Sequence, residues 1–208
     1  MKTKKEIKAR QERFVNAYRF SKNDTTPKMK ACTSAINASV RTRGYKVYSD
    51  RVEGRSDAVN YWKAQLEQIG KKYESGTPDR NVFIKDVFDL QDTINNSEYK
   101  DYFVGGIRVG QCQKSLSIYL KWMWCQGQLA GIPPVCPIDG QILRKCRQVL
   151  KKHNDYTPLE LRDTYIAWSN LNDRCLYERL VTITEKVTRK ESELYPCVWE
   201  LFAFDEPE

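Results

Sequence analysis

Apolar residues recur at helical spacing through almost the whole chain, and this periodicity constrains the fold more than any other feature. The clearest example is residues 142–150, where apolar side chains stand at positions i, i+1, i+4, i+7 and i+8, on one face of a helix. The same reasoning predicts helices over the following segments: residues 5–20, 26–40, 57–73, 79–95, 113–125 and 176–187. The sequence therefore predicts an all-α protein with seven or eight helices.

Capping residues, prolines and glycines predict where several of these helices begin and end. Thr26-Pro27 and Thr157-Pro158 each place a capping hydroxyl before a proline, and Glu160 completes a capping box in the second case. The basic, glycine-punctuated segment 41–55 is predicted to be a loop or a short hairpin. The apolar and aromatic segment 194–204 is predicted to pack as a final helix or strap across the N-terminal lobe, with a partner-binding tail as the alternative.

Basic residues are concentrated in two blocks of the chain. Residues 1–55 carry a net charge of +10 and residues 140–190 a net charge of +5, within an overall charge of +8. Two basic blocks around a near-neutral centre favour a polyanionic partner such as nucleic acid, and a well-solvated basic surface is the alternative. The residues predicted to contact phosphates in these blocks include Arg41, Arg43, Arg144 and Lys145.

Cysteine and histidine usage excludes several kinds of chemistry. The seven cysteines are scattered without a C-x-x-C pair, and His153 is the single histidine. Zinc fingers and iron–sulfur clusters need closely spaced ligands, and catalytic triads or multi-histidine metal sites need more histidine. We therefore expect reduced, core-packed thiols, a surface histidine at a helix end, and neither a metal nor a cofactor.

Location is predicted from the apolar segments of the chain. No run approaches the roughly 20 apolar residues that a membrane span needs, and the opening MKTKKEIKAR lacks the apolar stretch of a secretory signal. The sequence therefore predicts a monomer without membrane contact, located in the cytoplasm, or in the nucleoid or nucleus.

The glycine-rich segment 104–110 (VGGIRVG) precedes a helix and is a candidate phosphate site. Backbone N–H groups at such a turn can hold a phosphate, helped by the positive end of the helix that follows. The residues predicted to take part are Gly105, Gly106, Arg108 and Gly110.

Lys114 and Asp139 are the two residues with the clearest catalytic potential. The sequence predicts Lys114 in the first turn of its helix, where the positive field would lower the pKa of the amine and make it nucleophilic. Asp139 follows a proline and begins the next helix, a position that favours an ionised carboxylate. Two such residues could converge on one cleft. Taken singly, each has a plainer interpretation, a solvated lysine and an N-cap.

The run GGIRVGQCQKSLSIYLKW followed by CPIDGQILRKCRQVL resembles the helix-hairpin-helix DNA glycosylase superfamily, and is closest to its archaeal 8-oxoguanine DNA glycosylase branch. Pro137-Ile138-Asp139 stands where that superfamily has Pro-Val-Asp. The resemblance covers residues 102–150 and implies a two-lobed helical fold, with a central lobe of about residues 79–155 and the two chain ends forming the other lobe.

The resemblance also implies base-excision chemistry on double-stranded DNA. Such enzymes extrude a nucleotide from the duplex into a pocket. Lys114 would attack the anomeric carbon, and Asp139 would stabilise the positive charge on the sugar and help to deprotonate the nucleophile. The resulting Schiff base would permit strand cleavage, so lyase activity can accompany base removal.

Three further residues are predicted to contact DNA in this scheme. Gln111 and Gln113 would hydrogen-bond a base edge or fill the gap in the strand, and Trp122 would stack on the extruded base. Tyr119 and Met123, on another face of the helix, are predicted to lie in the core. The alternatives are a non-catalytic nucleic-acid-binding protein on the same scaffold, and a protein-interaction module whose basic blocks bind an acidic partner.

Overall fold

The computed structural model describes residues 2–17, 25–42, 46–76, 78–191 and 193–203. These residues form α-helices and two short 3-10 turns, without a strand longer than an isolated bridge between Tyr48 and Phe103, which confirms the all-α class. The α-helices are α1 (Lys4–Asn16), α2 (Pro27–Val40), α3 (Arg55–Glu74), α4 (Arg80–Asn95), α5 (Val109–Cys125), α6 (Gly140–His153), α7 (Pro158–Asp163), α8 (Arg174–Lys190) and α9 (Pro196–Ala203).

Local capping explains where several helices begin. Thr26 caps α2 ahead of Pro27, and Thr157 forms a reciprocal capping box with Glu160 at α7, both as predicted. Thr3 caps α1 through a second capping box. Each cap satisfies backbone N–H groups that have no partner within the helix.

Helix α5 lies at the centre of the molecule. Its residues from Val109 to Trp124 are buried except Ile118, and α1, α2, α3 and α4 all pack against it. Small buried residues of α2, such as Ala31 and Ala35, let the two helices approach closely. The residues that α5 carries are thus held by neighbours on several sides.

Helix α5 begins at Val109, four residues earlier than the sequence predicts. Gly110, which sequence analysis assigns to the preceding turn, is the second residue of the helix. A Cβ atom at Gly110 would lie 2.1 Å from the carbonyl oxygen of Trp168, so the glycine permits a close approach of two backbones inside the helix. Lys114 consequently stands in the second turn of α5 and not in the first.

The C-terminal segment forms α9, which packs against α1, α6 and α8. The predicted final helix is therefore present. Residues 46–54 are irregular, as expected for the basic loop. Among the residues named from sequence, Arg43 and Phe204 lie outside the part of the chain that the structure describes.

The apolar side chains of the described helices form one continuous core. Five of the cysteines are buried in it, namely Cys32, Cys112, Cys136, Cys146 and Cys197, and Cys125 packs at its edge. His153 is the exposed last residue of α6, as predicted.

Within the described ranges, no helix is both long and apolar enough to cross a membrane. The division into two lobes stays a prediction.

Candidate functional site

The structure brings Lys114 and Asp139 together at the wall of a cavity of about 380 Å³. The Nζ atom of Lys114 lies 3.3 Å from Oδ2 of Asp139, and the two side chains are 11% and 15% exposed. Lys114 comes from α5 and Asp139 from the start of α6. An amine and a carboxylate therefore line the same cavity, and both are largely shielded from solvent.

Asp139 uses its two carboxylate oxygens for different contacts. Oδ1 accepts hydrogen bonds from the backbone N–H groups of Gln141 at 3.0 Å and Ile142 at 3.1 Å, so Asp139 is the N-cap of α6 as predicted. Oδ2 is directed to Lys114. The cap holds the carboxylate in one orientation and leaves the second oxygen for the amine.

Burial lowers the pKa of Lys114, and the nearby Asp139 carboxylate offsets part of that effect. The sequence analysis attributes a lowered pKa to the helix N-terminus. That field falls off within the first turn of a helix, and Lys114 lies in the second turn, so burial is the physical cause. The ring of Trp168 covers the amine, with 4.0 Å between Nζ and the ring centroid.

Gln113 does not face the cavity. Its side chain is fully buried and forms two hydrogen bonds with the backbone of Ile138: Nε2 donates to the carbonyl at 2.7 Å, and Oε1 accepts from the N–H at 3.1 Å. Gln111 is also buried, and its Nε2 donates to the carbonyl of Ser169 at 3.1 Å. In this structure neither side chain is placed to contact a base edge or to fill a gap in a strand.

The glycine-rich turn bonds to the rest of the protein. Its backbone N–H groups donate as follows: Gly106 to the carbonyl of Phe103 at 3.1 Å, Ile107 to Oδ1 of Asn95 at 2.8 Å, and Gly110 to the carbonyl of Leu171 at 2.8 Å. Gly105 and Gly106 both have positive φ, which explains the choice of glycine. These three donors are engaged internally, so they are not available to a phosphate in this structure, and they join the turn to the rest of the protein. Arg108 is half-buried, and its Nη1 donates to Oδ1 of Asn170.

Trp122 lies in the core. It is 0% exposed, and its ring packs against Phe14 with 5.0 Å between the centroids. Full burial removes Trp122 from the candidates for base stacking, whereas Tyr119 and Met123 are buried as predicted. The aromatic residue beside the amine is the half-buried Trp168. Sequence analysis misses it because it lies in an irregular segment without periodicity.

A second ion pair lines the cavity. Nζ of Lys121 in α5 lies 2.5 Å from Oε2 of Glu200 in α9, and the two side chains are 5% and 3% exposed. Burial disfavours the ammonium, but the adjacent Glu200 carboxylate outweighs burial and raises the pKa of Lys121. Sequence analysis assigns no chemistry to this segment. The one signal in the sequence is a lone glutamate within the apolar run LYPCVWELFAF.

The cavity carries more positive than negative charge. Its charged lining residues are Arg10, Arg13, Lys114 and Lys121 against Asp139 and Glu200. Phe14, Ile118 and Leu201 add apolar surface. A concave site with apolar walls and a cationic excess suits an anionic organic ligand.

Comparison with protein-family models, curated protein sequences and solved structures finds no match to this chain. The chemistry of the site therefore rests on its own geometry. Among the described residues, no group of three or more histidine, cysteine or acidic side chains is arranged to hold a metal ion.

The predicted phosphate-contacting residues occupy several places on the surface. Arg41 is exposed at the end of α2, Arg144 is exposed on α6 and Lys145 is half-buried beside it. In the basic loop, the guanidinium of Arg51 lies 4.5 Å from the ring centroid of Tyr102, and Arg55 donates to the carbonyl of Ser49 at 2.9 Å. Part of this block therefore stabilises its own loop. A common basic face stays a prediction.

Proposed function

We propose that the protein is a DNA glycosylase of the base-excision type with Schiff-base lyase activity. In this proposal Lys114 is the nucleophile and Asp139 its carboxylate partner. The observation that carries it is the 3.3 Å contact between Nζ of Lys114 and Oδ2 of Asp139 at the cavity wall. Burial lowers the pKa of this lysine, which increases the neutral, nucleophilic fraction of the amine.

The pair has the two properties that cleavage of a glycosidic bond requires. Lys114 reacts as the neutral amine, and the ionised Asp139 carboxylate stabilises an oxocarbenium-like sugar; Asp139 takes up a proton only after Nζ has bonded to the sugar. Nζ then forms a bond to the anomeric carbon while the bond to the base breaks, and the base leaves with the electron pair and takes up a proton. Opening of the sugar ring gives a Schiff base, from which β-elimination cleaves the strand.

The cavity suits an extruded nucleotide. Its volume of about 380 Å³ lies within the range of roughly 300–1,000 Å³ that is usual for small-ligand sites. The lining combines basic side chains with apolar surface, a combination that suits a nucleotide. An enzyme of this class would take its base from duplex DNA, since chemistry on a base requires the base to leave the stack.

Borohydride trapping tests the proposal directly. The protein is incubated with a panel of duplexes that carry single damaged bases or an abasic site, and borohydride then reduces any Schiff base to a stable adduct. We expect an adduct with at least one duplex, and its loss in Lys114→Ala. Lys71→Ala is the matched control, because Lys71 is exposed on α3 away from the cavity lining.

Two outcomes would contradict the proposal. One is the absence of an adduct with every duplex, including the abasic one, under conditions where the protein is folded. The other is an adduct that persists in Lys114→Ala. The first result would favour a non-catalytic nucleic-acid-binding protein in which the Lys114–Asp139 contact is a structural ion pair, and the second would assign the Schiff base to another amine.

A further inference from the structure

The amide of Gln113 connects α5 to the segment that precedes α6. It pairs with the backbone of Ile138 through one donated and one accepted hydrogen bond, at 2.7 and 3.1 Å. The side chain is fully buried. A buried amide with both ends bonded holds its partner more specifically than an apolar side chain does, because displacement breaks both bonds at once.

This contact affects the candidate site because each of its two residues is the neighbour in sequence of a site residue. Gln113 directly precedes Lys114, and Ile138 directly precedes Asp139. A contact between residues 113 and 138 therefore sets the separation of residues 114 and 139. Residues 126–139, which lead from α5 to Asp139, lack regular secondary structure, so tertiary contacts have to fix where Asp139 stands.

The chemistry of the contact calls for glutamine. Donating to a carbonyl and accepting from an N–H at once requires a group with both functions. An ionised glutamate only accepts, methionine of similar length makes neither bond well, and asparagine is one methylene shorter. Packing alone would be served by an apolar residue in this buried region.

We propose that Gln113 is a positioning residue that holds the Asp139 carboxylate against the amine of Lys114. It touches neither substrate nor reacting atoms and acts through Ile138. The inference rests on the proposed function for its catalytic consequence. Its geometric consequence, the distance between amine and carboxylate, is independent of any activity.

Loss of the Gln113 contact has a defined electrostatic result. Asp139 raises the pKa of Lys114 against the effect of burial. If the segment at residue 138 shifts and Asp139 moves away, the pKa of Lys114 falls further below its ordinary value. A residue with a merely structural role would change stability and leave this pKa where it was.

The variants are Gln113→Met, with Gln111→Met as the matched control. Gln111 is a buried glutamine of the same helix, and its amide bonds to Ser169 and not to Ile138. The primary readout is the pKa of Lys114 in the free protein, followed by NMR of the lysine ε-methylene and assigned with Lys114→Arg. We expect the pKa to fall in Gln113→Met and in Asp139→Asn, and to stay unchanged in Gln111→Met.

The second readout is the single-turnover rate of borohydride trapping as a function of pH. We expect the limiting rate of Gln113→Met to fall on the order of tenfold to a hundredfold, as for a small misplacement of a catalytic group. Its acid limb should move to lower pH. Combined with Asp139→Asn, Gln113→Met should slow the reaction little further, because both changes act through the same carboxylate.

An unchanged Lys114 pKa in folded Gln113→Met overturns the inference. It is also overturned if the rate of the double variant Gln113→Met with Asp139→Asn falls by the product of the two single reductions. Gln113→Asn provides a second variant if Gln113→Met folds poorly, since it adds no charge and its amide is one methylene shorter, and the same unchanged pKa there overturns the inference. A shifted pKa in a protein that traps no DNA would uphold the positioning role and reject the proposed function.

Discussion

At the scale of single residues, Asp139 caps a helix and also contacts an amine, the contact on which the proposed reaction depends. Oδ1 satisfies two backbone N–H groups of α6, and Oδ2 faces Lys114. The plain N-cap interpretation and the catalytic one are therefore compatible. A substitution that keeps the capping oxygen and removes the charge separates them.

Asp139→Asn is that substitution. Its carbonyl can still accept the capping hydrogen bonds, but the negative charge near the sugar is lost, so trapping should slow by orders of magnitude while duplex affinity changes little. In the proposed mechanism, the trapping rate should rise with pH as the amine of Lys114 deprotonates. Because Asp139 raises the pKa of Lys114, its neutralisation should move this acid limb to lower pH.

Single-turnover trapping across a pH series, together with a binding titration, measures both effects. If Asp139→Asn lost only about 1 kcal/mol of stability and kept its rate and pH profile, Asp139 would act only as a helix cap.

At the scale of elements, the start of α5 depends on Gly110. Alanine is favoured over glycine in a helix interior by about 1 kcal/mol, so local propensity alone predicts that Gly110→Ala stabilises the protein. The added Cβ would stand 2.1 Å from the Trp168 carbonyl oxygen, and that backbone has to move. We expect a net loss of about 1–3 kcal/mol.

Urea unfolding of Gly110→Ala measures this loss. Gly140→Ala in α6 is the matched control, because a Cβ there would lie 4.0 Å from Cδ1 of Trp168, an ordinary van der Waals distance, and it should be neutral or stabilising. Equal stability changes in the two variants would show that the approach of the Trp168 backbone to α5 imposes no constraint.

A buried ion pair connects Lys121 of α5 to Glu200 of α9. Glu200→Gln would leave the ammonium of Lys121 buried without its carboxylate, which costs about 3–5 kcal/mol when one partner of such a pair is removed. Replacing both residues by apolar ones, in Lys121→Met with Glu200→Leu, should restore much of that stability. Thermal and urea unfolding of the single and double variants test this, and a mild effect of Glu200→Gln alone would show that the pair is well hydrated.

At the scale of the whole molecule, the basic blocks are the feature most relevant to a long polyanion. A phosphate backbone is a continuous line of charge, and each neutralised phosphate releases counterions. Part of the first block is engaged within its own loop through Arg51 and Arg55. In the second block, Lys152, Lys186 and Lys190 likewise take part in ion pairs.

Neutralising Arg144, Lys145 and Lys151 together should weaken duplex binding regardless of sequence. It should flatten the dependence of log affinity on log salt by about one unit for each phosphate that the protein no longer neutralises. Binding titrations at several salt concentrations measure the slope. An unchanged slope would remove this block from the DNA-binding surface and favour the interpretation of these charges as solvated.

Much of the fold can be predicted from local patterns. Apolar periodicity and capping boxes depend on residues within one or two turns of each other, and they place α2 and α6 close to their observed bounds and α7 at its observed start. The start of α5 cannot be predicted in this way, because Gly110 is helical for a reason that lies in Trp168, far along the chain.

The amino-acid sequence by itself determined the all-α class, the main helices and the capping position of Asp139, since each follows from short-range geometry. Only the tertiary structure decided what surrounds the amine of Lys114. In the folded protein that side chain is buried and the ring of Trp168 lies over its amine. Glu200 lines the same cavity, whereas Trp122 and Gln113 lie in the core. Burial and the contacts of distant segments depend on how helices pack, and a single helix shows the same periodicity whichever neighbour covers it.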